Sequence, residues 1–309
     1  MKIGVVGAGA VGGYFGGRLA LSGADVVFLV RGKTLAALRS GPLRVKSING
    51  DFEVRVRATN DPAEMRGIDV VLVSVKAWQV PEAAESIVRM GPSDSVVVPL
   101  QNGMEAPEQL ARVLGPGRIA GGLCRIVAET IGPGEIDHYW AEPSIEFGEL
   151  EPLRNRGRLE NLDEAFKRAM VRSNVSSDIA AAMWRKFLFI TPWGSLGAAT
   201  RLPVGPILST PELRRRLLAA LEEVAAIARA EGKDLGADGV ARTLQVLEAL
   251  PPDTTSSMQR DLMAGRPSEL EAQTGAVIRF GRKTGVPTPV HGAIYAELLP
   301  LEQKARAQA

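Results

Sequence analysis

The chain has a single cysteine, Cys124, and only two histidines, His138 and His291, in 309 residues. One thiol cannot form an internal disulfide, and so few sulfur and imidazole ligands exclude a Cys/His metal cluster, leaving only a carboxylate metal site open. No bound metal is expected. An excess of charge of one sign is also missing: 37 Lys and Arg stand against 35 Asp and Glu, a formal net charge of +2. That balance does not furnish a phosphate-tracking surface over the whole chain, so nucleic acid is not an expected partner. Long hydrophobic runs are absent too. No stretch approaches the ~20 apolar residues that cross a bilayer, and Met1 to Gly7 reaches glycine-rich sequence without the apolar region and cleavage site of a secretory signal. The expected location is the cytoplasm, with no membrane partner.

What is present is a globular composition, 45% apolar and 23% charged residues, with ample material for cores. Length favours two domains. The first part alternates short β-branched runs with helix-like stretches: Ile3 to Val6, Val26 to Val30, Val70 to Val75, Val96 to Leu100 and, more weakly, Ile119 to Leu123. Apolar runs of this length suit strands buried on both faces, so the expectation is an α/β fold, a doubly wound and mostly parallel sheet. Gly132 to Leu150 reads as a hairpin or edge strands attached to it. After Asp178 the pattern becomes helical, with candidate helices at Asp178–Phe189, Pro211–Glu231, Gly239–Leu250, Ser268–Thr284 and from His291 into the charged tail. Arg154 to Arg158 reads as a solvated loop or helix start. His138 and His291 read as structural or surface residues, Trp184 and Trp193 as packing residues.

Gly7-Ala8-Gly9-Ala10-Val11-Gly12 is a GxGxxG motif where a predicted strand meets a predicted helix. Gly7 permits a tight turn, Gly9 lets backbone approach a pyrophosphate, and Gly12 lets the helix pack on the strand. Unpaired N–H groups at the start of that helix can hold phosphate oxygens. NAD-preferring sites place an acidic residue about 20 positions on, to accept from the ribose hydroxyls. Here that place is Arg31, whose guanidinium can grip a 2′-phosphate, so NADP is favoured over NAD. Lys33 can assist. The plainer reading of Arg31 is a solvated loop cation.

Together with these features, Ser74-Val75-Lys76-Ala77-Trp78-Gln79-Val80, Gln101-Asn102-Gly103-Met104, Met183-Trp184-Arg185-Lys186, Ser256 to Asp261, Glu269 and Gly281 to Pro289 resemble the ketopantoate reductase (2-dehydropantoate 2-reductase) family. The resemblance covers essentially the whole chain. It implies an N-terminal Rossmann domain over residues 1–175, an all-helical substrate and catalytic domain over 176–309, and an active site in the cleft between them. It implies NADPH-dependent reduction of the 2-oxo group of ketopantoate to (R)-pantoate, a precursor of pantothenate and coenzyme A. By position, Lys186 resembles the family's proton donor, Glu269 its partner carboxylate and Ser257 a substrate-binding hydroxyl. Lys76, Asn102 and Ala128 match cofactor-contacting positions, and Asn102 also stands where substrate binds. A homodimer remains open.

These residue types suit the chemistry. Hydride arriving at a ketone carbon builds negative charge on its oxygen, which a nearby ammonium stabilises and can protonate. Lys186 follows Met183 by three residues and Ile179 by seven, so its stem lies on an apolar helix face; a plain snorkelling lysine has the same spacing. Likewise Glu269 suits a helix start, Ser257 a turn cap and Asn102-Gly103 a turn pair. Family members commonly carry asparagines four and eight residues after the lysine and five after the glutamate; here Ile190, Gly194 and Thr274 stand there. Thr191 or Ser195 can replace a lost amide, and Pro192 is expected to break or kink the helix. This leaves two further readings, a reductase of a different 2-oxo acid and a noncatalytic NADPH-sensing binding protein.

Overall fold

The computed structural model describes residues 1–308. The chain divides into two compact units, the first comprising Met1–Gln101 and Ala106–Ile179, the second Asn102–Glu105 and Ala180 onward. The first unit is α/β. In chain order it carries β1 (Lys2–Val6), α1 (Ala10–Leu21), β2 (Asp25–Leu29), α2 (Gly32–Ser40), β3 (Leu43–Ser47), β4 (Phe52–Val54), β5 (Arg57–Thr59), β6 (Val70–Val73), α3 (Val80–Arg89), β7 (Val96–Pro99), α4 (Ala106–Leu114), β8 (Ala120–Gly132), β9 (Glu135–Glu149), α5 (Gly157–Arg168) and β10 (Arg172–Val175).

Five of these strands form a wholly parallel sheet in the order β5-β2-β1-β6-β7. After the charged first residues Lys2 and Asp25, its central strands are apolar because alternate side chains serve different cores. Ile3, Val5, Val70, Leu72, Val96 and Val98 face one core with Phe15 and Leu19 of α1. Val6, Val71, Val73 and Val97 face another with Val80, Ala84 and Ile87 of α3. Each such side chain taken fully from water contributes about 1.5–3 kcal/mol. The expected doubly wound sheet is therefore present, with helices covering both faces.

One expectation about its edge needs correction. Ile119 makes an isolated parallel bridge to Val97, but the strand that follows does not join the parallel sheet. β8 instead turns at Pro133-Gly134, where Gly134 has φ +75°, and runs back antiparallel as β9. A tight turn can return the chain only antiparallel. Gly132 to Leu150 is thus one half of a long hairpin in a second sheet, β10-β9-β3-β4 with β8 on β9.

The second unit contains helices and no strand among the described residues: α6 (Ile179–Thr200, whose first residue closes the first unit), α7 (Val204–Ser209), α8 (Pro211–Ala230), α9 (Gly239–Glu248), α10 (Ser257–Met263), α11 (Ala276–Thr284) and α12 (Pro289–Ala307). Pro192 does not end α6, which continues through it to Thr200. A proline inside a helix costs about 3 kcal/mol, but Leu188, Trp193 and Leu196 on either side are all buried in the helical core, and that packing outweighs the lost hydrogen bond. The expected Ser268–Thr284 helix also differs. It opens with a π-helical turn, Glu271–Gly275, in which the Gly275 amide donates to the Leu270 carbonyl at 2.9 Å. Such widened turns are rare and recur at functional sites.

Candidate active site

In the first unit the glycine motif is a backbone device. Gly7 has φ +93°, a conformation open to glycine at no steric cost. A Cβ on Gly12 would stand 2.1 Å from both the Gly7 carbonyl and the Ser74 hydroxyl, so α1 can approach the turn only with glycine there. Ser74 explains part of its own motif: its hydroxyl donates towards the Gly7 carbonyl at 2.8 Å and lies 3.1 Å from that of Val6, tying the turn to the end of β6. A Cβ on Gly9, in contrast, would meet nothing within 4 Å. Gly9 caps α1 with no side chain on the free N–H groups and no acid in the first turn. Open space over bare amides at a helix start fits a dinucleotide pyrophosphate.

The remaining first-unit candidates are placed as follows. Ala10, Val11 and Ala128 pack against one core, with Ala128 on β8 opposite His138. Arg31 caps α2, exposed, and its guanidinium pairs with the carboxylate of Glu82 on α3. Lys76 caps a short turn over Ala77–Gln79, its ammonium 5.9 Å from the centre of the Trp78 ring.

In the second unit Glu269 is 8% exposed and accepts from the Asn102 amide at 3.4 Å. Its neighbour Ser268 is pinned by α12. The Ser268 amide and hydroxyl both donate to the buried Glu302 carboxylate, at 3.0 and 2.6 Å, and Arg306 donates to the Ser268 carbonyl. The Ser268 hydroxyl in turn accepts from the Leu270 amide, so the backbone is fixed on both sides of Glu269. Lys186 is half-buried on α6, with Ile179 and Met183 buried below it on the same face. Ser257 is the half-buried first residue of α10; the cap itself is Ser256, whose hydroxyl accepts from the Gln259 amide.

Thr191, Ser195 and Thr274 are fully buried, and the hydroxyls of Ser195 and Thr274 bond to one another at 2.7 Å. The structure thus joins two of the three candidate hydroxyls to each other across α6 and the π turn. The Thr191 hydroxyl has no hydrogen-bond partner among the described residues. Gly194 faces Ser256, whose hydroxyl would be 3.0 Å from an added Cβ. Both histidines are structural. His138 is held between Ser47 and the Ala141 carbonyl, and His291 joins Glu223, which also accepts from the first amides of α12. Among the described residues no group of three or more His, Cys, Asp and Glu side chains is placed to hold a metal ion, and no helix is long and apolar enough to cross a membrane.

The sequence passed over one group in this unit. Arg279 grips Glu105 with a two-pronged fork at 2.8 and 2.7 Å and also reaches Glu271, to which Tyr295 donates. Burial, and then the bond to Glu271, push the Tyr295 hydroxyl up to about 12.

Comparison with known proteins bears directly on this arrangement. Residues 3–152 match the family described as ketopantoate reductase PanE/ApbA, and residues 178–302 match the C-terminal part of the same family. The chain belongs to the ketopantoate reductase family. It is 31% identical over 298 residues to the uncharacterized oxidoreductase YkpB of Bacillus subtilis strain 168, covering 96% of this chain and 98% of that one. It is 29% identical over 313 residues to the 2-dehydropantoate 2-reductase of Nostoc sp. strain PCC 7120, covering 99% and 96%. Among solved structures, the PanE/ApbA family ketopantoate reductase from Ralstonia eutropha JMP134 superimposes with a TM-score of 0.90 at 30% identity, covering 99% and 100%. The protein is accordingly an oxidoreductase of a nicotinamide-dependent family.

Proposed function

We propose that the protein reduces the 2-oxo group of ketopantoate to give (R)-pantoate, with NADPH as the reductant. The observation that carries this reading is the bare, glycine-shaped helix start at Gly7–Gly12 in a chain that matches a ketopantoate reductase family over both of its units. The dinucleotide, when bound, supplies the hydride. The amides of Gly9, Ala10 and Val11 then hold its pyrophosphate, Arg31 and Lys33 take the 2′-phosphate, and Lys76, Asn102 and Ala128 contact the rest.

Lys186 gives its ammonium proton to the carbonyl oxygen as negative charge develops there, so that the oxygen, still bonded to its carbon, becomes the product's hydroxyl and the lysine is left neutral until it takes up a proton from solvent. Glu269 orients the lysine amine. Ser257 and Asn102 bind the substrate, with Thr191, Ser195 and Thr274 on the wall behind. Lys186→Ala should lower turnover by roughly 10²- to 10⁴-fold while NADPH still binds; retained turnover would defeat the assignment.

A second reading, reduction of a different 2-oxo acid by the same lysine, is favoured by one specific observation. The hydroxyls of Ser195 and Thr274 are spent on each other, and Ile190 and Gly194 offer no polar group, so hydrogen-bond selection of a hydroxylated substrate is weakened. Parallel NADPH-oxidation assays separate the two. Faster turnover of ketopantoate than of other 2-oxo acids supports the first, and failure on ketopantoate with turnover elsewhere supports the second.

A further inference from the structure

The four residues Asn102–Glu105 leave the first unit and are grouped with the helices, and each of them is engaged there. Asn102 donates to Glu269. Gly103, at φ +105°, lies so close to the π turn that a Cβ would be 2.5 Å from the Ala272 carbonyl. Met104 packs against the helical core. Glu105 takes both prongs of the Arg279 fork, a geometry that fixes direction as well as distance.

Arg279 is itself held. Its guanidinium donates to the Glu271 carboxylate at 3.1 Å and to the Glu271 carbonyl at 2.6 Å, inside the π turn. Glu271 is tied in turn to Tyr295 of α12. The group closes over Gly275, where a Cβ would sit 2.8 Å from Glu271 and 3.1 Å from Arg279. The hydrogen bonds that it donates to Glu105 raise the guanidinium above its usual range, so the fork stays charged at any working pH. Exposed ion pairs are individually weak. Here, however, one cation joins a loop to a backbone turn, and both segments carry candidate site residues, Asn102 on the loop and Thr274 on the turn.

We propose that Arg279 is a positioning residue for the reductase reaction: by clamping Glu105 onto the π turn, it fixes the Asn102 loop and so sets the Asn102 amide against Glu269. The proposal rests on the functional reading above, in which Asn102 and Glu269 belong to the site. Arg279 touches neither substrate nor cofactor and acts through Asn102 alone.

The test has two arms. In the first, the ligand-free protein is labelled at its methionine methyl groups, and the Met104 signal is followed by NMR in Arg279→Leu and in Glu105→Gln, the latter a milder change that keeps the loop's size. Both variants should move Met104 towards the unstructured methionine position and leave the other methionine signals in place; an unmoved Met104 overturns the clamp. In the second arm, Arg279→Leu should lower kcat roughly tenfold, the scale on which small misplacements act, and should lower it no further in an Asn102→Ala background. A full additional fall in that background overturns the proposal, since Arg279 would then act by another route. The two readings fail separately. If the wild-type protein turns over no 2-oxo acid, the functional reading fails while the Met104 arm still decides the clamp; if turnover depends on Lys186 and Asn102 but not on Arg279, only the positioning role fails.

Discussion

At the glycine turn, position is set by adjacent residues. Gly7 bends, Gly12 admits the helix and Gly9 leaves space, all within six consecutive positions. Around Glu269 it is set by side chains from far away in the chain: Glu302 reaches Ser268 across 34 residues, and Asn102 reaches Glu269 across 167. The first arrangement costs little to specify, because a missing Cβ is local and absolute. The second depends on tertiary folding to bring partners together, and each partner can be exchanged without changing the backbone's local preference. Breaking the first should therefore destroy a binding surface outright, whereas breaking the second should show first as lost stability or lost order.

The largest effect should come from Gly12→Ala. The added carbon would lie 2.1 Å from a backbone carbonyl, which cannot swing aside as a flexible side chain could. Overpacking of this kind costs about 1–3 kcal/mol, and here the strain falls on the turn that carries the bare amides. NADPH titrations should show binding lost, with thermal unfolding lowered only moderately. Unchanged NADPH affinity would show that the turn tolerates the shift and that the amides do not hold the cofactor.

Next should be Glu302→Ala. The carboxylate is 2% exposed, accepts from the Ser268 amide and hydroxyl and pairs with Arg306. Its removal leaves the buried Ser268 amide without its acceptor, and an unsatisfied buried group of this kind costs about 1–3 kcal/mol. Urea unfolding should show a loss of that order. A loss below about 1 kcal/mol would place Ser268 among ordinary surface-like hydrogen bonds.

That contrast also explains what was legible in the sequence. The parallel strands could be read because Val70 to Val73 and Val96 to Val98 are apolar at every position, the mark of two-sided burial. The glycine turn could be read because its spacing is local. The second sheet was mostly illegible: β4 is three residues, too short for a period to emerge, and Glu53 within it is exposed; β5, the three-residue edge of the parallel sheet with Arg57 exposed, was hidden for the same reason. Pro192, expected to break or kink the helix, does not break it, since local preference ends a helix there but the burial of Trp193 and Leu196 continues it. Lys186, Glu269 and Asn102 were visible as a pattern of residues. The Glu105–Arg279 fork, 174 residues apart, and the Ser195–Thr274 contact had no sequence signal beyond Gly275, whose small size only makes sense once Glu271 and Arg279 are seen above it.

A smaller effect is expected at high pH. Tyr295 is raised to about 12, which means the folded state favours the protonated phenol over its ordinary value near 10. Burial, and then the bond to Glu271, disfavour the phenolate in the folded state, so the stability this gives is fully present below about 10 and is lost as pH rises through about 12. Thermal melts of the wild type should fall more steeply across that window than those of Tyr295→Phe, which has no phenol to ionise. Parallel curves would show that the phenol contributes nothing to holding Glu271.

The smallest effect tests the first unit from its edge, where a side chain rather than the backbone does the work. Arg31 and Glu82 form a pair with both side chains more than half exposed, 68% and 54%. Such a pair is screened by solvent and worth little, so a 2′-phosphate carrying about two negative charges can displace Glu82 from the guanidinium. The carboxylate still competes. Glu82→Gln should therefore tighten NADPH binding by roughly two- to fivefold, the scale of an exposed ion pair, and leave NADH binding unchanged because NADH has no phosphate to compete for. Arg31→Ala should do the reverse, weakening NADPH far more than NADH. If Glu82→Gln shifts both cofactors equally, Glu82 acts on some feature the two share, and Arg31 is not the group that distinguishes them.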